Sequence, residues 1–348
     1  MNGTSSRRSS SSRPWEKALG AAGTVAAAPL GAAAAYRHYV HHRCARFLAT
    51  AEAAFDAPGL AENFVPQDLD YLSACDGFVF SGYNGKGGPS PLYVCPKGKD
   101  PFPVFIELPD GSLYCGHGAA VAVDGQRVLV TTATGFMALE AADLASAEPN
   151  ARLRPVDHRF VDLTPAFMGI YDDILYLGAY YYPVLFNTPG RMHVTTPDGQ
   201  KDKAVMYAFR RDETEPCGFA SEPFAVYALP KEVQGMAALP DGRFVFSCSV
   251  GFVNSHLRVY DPRSLAADGT YLAQWRVVPR YDLDDRTLVD TWTVPPMSEG
   301  ITLHDDALYL PFEAASTRYR IGALTGGKHV YRLPLSAFDG QTSPNDAS

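Results

Sequence analysis

Five times along this chain an apolar run, a turn built on aspartate and a second apolar run follow one another. The five segments are 67–83, 117–133, 168–180, 234–249 and 299–313, and their turns are Asp76-Gly77, Asp124-Gly125, Asp172-Asp173, Asp241-Gly242 and Asp305-Asp306. Asp-Gly between two alternating runs is a hairpin signal, because both central positions of a type I′ turn need positive φ. The turn aspartates are spaced 48, 48, 69 and 64 residues apart. A period near 48 matches a four-stranded propeller blade of roughly 40–50 residues. A single blade cannot bury both of its faces, whereas radial stacking buries them and leaves only short edges. The expected fold is therefore an all-β propeller over 64–337. It has five blades, or six if another lies hidden in the longer steps.

Outer strands are expected at 91–94, 204–209, 256–260 and 329–333, and fourth strands at 104–108, 224–229 and 291–294, each a short half-apolar run. The polar segments 187–203 and 262–286 are expected to be surface loops. The 30 glycines, 27 prolines and 19 tyrosines suit turns and strands more than helices.

The N-terminus has a different character. Residues 1–17 form a polar tail with Arg7, Arg8, Arg13 and Lys17, and 18–36 is an uncharged, Ala- and Gly-rich run. Such a run is long enough to cross a hydrocarbon core of roughly 30 Å. It reads as a transmembrane signal anchor with the body extracytoplasmic, or as a signal peptide cut near Ala32 to Ala35 with the body secreted. An Ala-rich cytoplasmic helix or tail is the plain alternative. Residues 37–63 read as a stalk helix and linker, from the stripe Phe47, Leu48, Ala51 and Phe55. His38, His41 and His42 read as its polar flank, and 338–348 as a disordered tail. A formal charge of -8 and the lack of basic runs in the body argue against a nucleic-acid partner. Six cysteines allow fifteen pairings; in an exported body one or two disulfides are expected, with Cys75 and Cys95 as a candidate pair.

The stretch 234–244, and Ser298-Glu299-Gly300-Ile301 with Leu308-Tyr309-Leu310, resemble inner strands of the gluconolactonase and strictosidine-synthase-like propellers, relatives of the calcium-dependent phosphotriesterase group. The resemblance implies that a glutamate opening an inner strand faces the central channel and binds a divalent metal such as calcium. Glu299 matches that position. The partners are Asn and Asp in the family; here Gln67, His117, Met168 and Gln234 stand at the corresponding places.

In a propeller the first residues of the inner strands ring the channel mouth, which gathers Gln67, His117, Gln234 and Glu299 as candidate ligand-binding residues. His117 and Glu299 are also candidates for a general acid–base pair if they reach one another, and Glu299 for a metal ligand. The plainer reading is that these groups bond backbone and water along a wet channel. Glu313, with Arg318 and Arg320, either flanks the same mouth or forms a salt-bridged blade edge. Tyr180, Tyr181 and Tyr182 either stack on a ligand or pack between blades. No Gly-x-Ser-x-Gly motif or phosphate-binding loop is present. Two functions follow. The first is a membrane-anchored or exported ligand-binding or scaffold module. The second is a metal-dependent lactonase- or esterase-like hydrolase using Glu299.

Overall fold

The computed structural model describes residues 30–339. Five blades surround one axis. Blade 1 runs outward from Phe64–Leu72 through Gly77–Asn84 and Pro91–Cys95 to Phe102–Ile106. Blade 2 is Val121–Val123, Arg127–Thr132, Gly135–Glu140 and Asp157–Phe160. Blade 3 is Pro165–Tyr171, Ile174–Ala179, Ala204–Arg210 and Ala225–Leu229, and blade 4 is Val233–Ala238, Phe244–Cys248, Ser255–Tyr260 and Leu288–Val294. Blade 5 is Thr302–His304, Ala307–Leu310 and His329–Pro334, completed by Glu52–Asp56 from the other end of the chain. Each inner strand packs against the next, and the fifth against the first, so the ring closes at five.

All five expected hairpins form, but their turns differ. Asp172 and Asp173 both take positive φ, 49° and 61°. At Asp124-Gly125 and Asp241-Gly242 only the glycine does. There the aspartate side chain accepts the N–H of the residue two ahead, Asp124 from Gln126 and Asp241 from Arg243. At these two turns Asx capping explains the aspartate, whereas Asp76 and Asp305 themselves take positive φ, 47° and 51°.

Four expectations are corrected. Residues 37–63 are not a detached stalk: α1 (Leu30–Arg43) and α2 (Ala45–Thr50) lead into the outermost strand of blade 5. Phe47 is fully buried, and Phe55 packs on Phe78 and Phe80 at 5.3 and 6.2 Å. The apparent helical stripe therefore joined a helix to a strand. The segment 262–286 is not a bare loop: Gly269–Ala273 and Arg276–Asp282 form a hairpin whose second strand pairs in parallel with Ala225–Leu229, extending blade 3. Met168 does not open its strand but sits inside it, buried in the core of blades 2 and 3. The anchor expected at 18–36 lies outside the described residues up to 29. Among the described residues no helix is long and apolar enough to cross a membrane. The expected disulfides are not formed, Cys75–Cys95 included: all six cysteines are free thiols.

Candidate functional site at the channel mouth

Buried carboxylates on the first inner strand hold the ring together. Asp68 accepts the Leu69 N–H at 2.9 Å and, from blade 2, the Val121 N–H at 3.0 Å. Asp70 accepts the Val123 N–H at 2.7 Å and the Thr302 hydroxyl of blade 5 at 2.6 Å. The Gly300 N–H donates to the Gln67 carbonyl at 2.8 Å. These bonds join inner strands that share no sheet ladder, and they satisfy polar groups that burial would otherwise leave costly. Burial pushes the Asp70 carboxyl up to about 6 and Asp68 well above its ordinary range, against the pull of their hydrogen bonds.

Above this layer the chain enters blade 5. Ser298 bridges to Phe312, the Glu299 N–H donates to the Pro311 carbonyl and the Glu313 N–H to the Met297 carbonyl. This antiparallel start places Glu299 and Glu313 on neighbouring segments. The two carboxyl groups are hydrogen-bonded to each other, and burial together with their mutual repulsion raises Glu299 well above the usual carboxyl range. Burial raises Glu313 too, while Gln67 and Arg318 oppose the rise. The Gln67 amide donates to Glu313 Oε2 at 3.1 Å from blade 1. Glu299 and Glu313 are thus a pair of like acids too close for both to ionise freely, and both carboxyls are raised.

Aromatic rings stand around the pair. The Tyr83 and Tyr319 hydroxyls lie 3.5 Å apart, and His117 stacks on the Tyr83 ring at 4.6 Å. Burial, and next Arg318, lower His117 to about 4, so it is neutral near pH 7. Tyr180 donates to the Ser249 carbonyl at 3.0 Å, and Glu299 and Glu313 add to the burial that raises its hydroxyl. The Arg318 guanidinium lies 5.8 Å from the Tyr83 ring centroid and 5.7 Å from that of Tyr319.

Of the four sequence candidates, Gln67 and Glu299 meet through Glu313. His117 stands on the aromatic side, with Arg318 as its charged neighbour. Gln234 occupies a bulge at the start of blade 4, matching the bulge that displaces Gln67 in blade 1, and takes part in none of these bonds. Tyr83 and Tyr319 were not singled out in the sequence. Tyr83 lies near the end of the second strand of the first hairpin, the same place in its repeat as Tyr180 and Glu313, and that repeat position was the available signal.

No protein-family model matches the chain, and no curated protein matches it. Solved structures with similar backbones include the PQQ-bound aldose sugar dehydrogenase of Streptomyces coelicolor, at 13% identity over 85% of this chain and 83% of that one, TM-score 0.41. Myxococcus xanthus glutaminyl cyclase aligns at 10% identity over 82% and 94%, TM-score 0.40. A glucose dehydrogenase-like oxidoreductase of Thermus thermophilus aligns at 13% identity over 81% and 99%, TM-score 0.39.

Proposed function

We propose that this propeller is a ligand-binding module whose channel mouth takes a small organic molecule between the carboxyl groups of Glu299 and Glu313 and the tyrosines at 83, 180 and 319. The supporting observation is Gln67 donating to a buried carboxyl pair supplied by another blade. A buried pair of like acids strains the fold, because each carboxyl raises the cost of ionising the other. Such a cost, placed where strands open onto a mouth, suits recognition better than stability. The uncharged run at 18–36, behind a basic tail, supports display of this module from a membrane or export across one.

The metal-dependent hydrolase reading has less support. Glu299 and Glu313 offer oxygen ligands, but calcium takes about six to eight. Among the described residues no group of three His, Cys, Asp or Glu side chains is placed to hold a metal. The residues present do not fit a calcium centre.

The test is a thermal-shift screen of the whole chain against sugars, lactones, amines and carboxylic acids. The reading predicts at least one compound that raises the wild-type midpoint and leaves Glu313→Gln and Gln67→Ala unmoved. Compounds that shift all three proteins equally would place binding elsewhere and reject the mouth.

A further inference from the structure

The end of the propeller that carries the mouth also holds exposed apolar side chains. In an antiparallel blade the segment joining the second and third strands lies at the same end as the start of the first. On blades 3, 4 and 5 these segments present Val184 at 86% exposure, Val253 at 61%, and Leu185 and Leu324 less fully exposed. Val184 also holds positive φ, 71°, which a β-branched residue adopts only under strain. The helix α1 lies across the same end. Its Tyr36 hydroxyl donates to the Phe252 carbonyl at 3.2 Å, and it packs on 320–325. Val40 is buried beneath it, while Tyr39 is exposed. The Tyr180 hydroxyl donates to the Ser249 carbonyl at 3.0 Å, and the Phe252 and Tyr319 rings lie 6.3 Å apart. These contacts join α1 and the three segments into one surface.

Charge divides the molecule between its two ends. Together, α1 and the segments 180–193, 249–254 and 314–328 carry Arg37, Arg43, Arg191, Arg318, Arg320 and Lys328, and no Asp or Glu. Arg191 and Lys328 pair with Asp162 and Asp56. The five hairpin turns, all built on aspartate, lie at the other end. No acidic residue occurs between Lys17 and Glu52, so the uncharged run 18–36 leads into a basic helix on the mouth side.

We propose that this face rests on an anionic lipid bilayer. Tyr39, Val184, Leu185, Val253 and Leu324 enter the boundary between headgroups and acyl chains, and the arginines around them meet lipid phosphates. The inference rests on the membrane display proposed above and adds which end of the propeller meets the bilayer. At such a boundary the burial of apolar area and the attraction of cations to anionic lipid act together. An exposed apolar patch rimmed by cations and free of acids suits both. The run 18–36 gives this face continuity with a bilayer, which favours lipid over a soluble protein as its partner.

The test mixes the whole chain with vesicles of phosphatidylcholine, alone or with phosphatidylserine, and reads flotation and amide hydrogen exchange. On the phosphatidylserine vesicles, segments 181–186, 250–254 and 320–325 are expected to exchange at least about threefold more slowly than in the free protein. Val184→Glu combined with Val253→Glu should abolish that protection. Both side chains are exposed, so the fold should survive the change. Trp275→Glu, on the hairpin that extends blade 3, should leave the protection intact. Protection that survives the double variant overturns the proposal. A chain that floats while the three segments exchange as in the free protein also overturns it, and leaves membrane display standing. Protection of Gly269–Ala273 and Arg276–Asp282 in their place assigns the contact to that hairpin and overturns it too. Equal protection on phosphatidylcholine alone overturns the anionic preference. If the chain floats with neither vesicle, docking and display both fall.

Discussion

Gly300 lies between the carboxylate layer and the mouth, and replacing it with alanine tests both. A Cβ at this position would sit 1.6 Å from Asp68 Oδ1 and 2.2 Å from its Cγ. Asp68 has little room to yield: it is 2% exposed and holds two backbone N–H groups, one in blade 2. Gly300 does not have positive φ, so the requirement is for space alone. Overpacking of this kind costs about 1–3 kcal/mol. Swinging Asp68 aside strands buried donors at about 1–3 kcal/mol more. A total loss of about 2–6 kcal/mol is expected for Gly300→Ala, a large share of the roughly 5–15 kcal/mol that keeps a domain folded. Urea unfolding followed by circular dichroism measures it. In an Asp68→Ala background the same change should cost clearly less, because the two closest clashing atoms are gone and only the Cβ contact at 2.7 Å remains. A single-mutant loss below about 1 kcal/mol, or equal losses in both backgrounds, refutes the packing argument.

Three further outcomes are expected. Burial, then the charges of Asp198, Asp282 and Asp284, raise Asp202 to about 8, so the native state keeps a proton there that the unfolded chain gives up near pH 4. Stability from this group falls as pH climbs from about 4 to 8. Asp202→Asn should therefore match wild type near pH 4 and exceed it by about 1 kcal/mol or more at pH 9; a pH-independent difference in melting temperature would refute this. His117 has the opposite sign, its native value of about 4 lying below the unfolded one, so acidification from about 6.5 to 4 destabilises the fold and His117→Gln should flatten that part of the profile. Deleting 1–57 removes the strand Glu52–Asp56 that completes blade 5, exposing Phe78 and Phe80 beneath Phe55. Loss of cooperative thermal unfolding is expected, and an unchanged transition would show that ring closure does not need that strand.

The blades were legible because each repeats one hairpin, and the period of two along a strand leaves its mark on sequence. Blade 2 was only half visible, since its third strand Gly135–Glu140 follows the second after a two-residue turn and reads as one run with it. The closing strand was not legible. Its partner His329–Pro334 lies at the far end of the chain, and no local pattern records a pairing across such a separation. Glu299 and Gln67 were legible because topology alone carries blade starts to the mouth. Their link through Glu313 was not, because it depends on how the segment after the second strand of blade 5 folds back onto Met297 and Ser298. Met168 shows the limit of aligning by turn position, since the length of the inner strand varies between blades.

The central claim is that Glu299, Glu313 and Gln67 meet a ligand at the channel mouth. A crystal structure of the chain with the strongest compound from the thermal-shift screen tests it most directly. The account predicts that the ligand contacts Glu313 and at least one of Tyr83, Tyr180 and Tyr319. A ligand seated instead in the open groove of about 400 Å³ between Arg210, Phe224 and Arg276 on the outer side of blade 3, with the mouth unchanged, would contradict it.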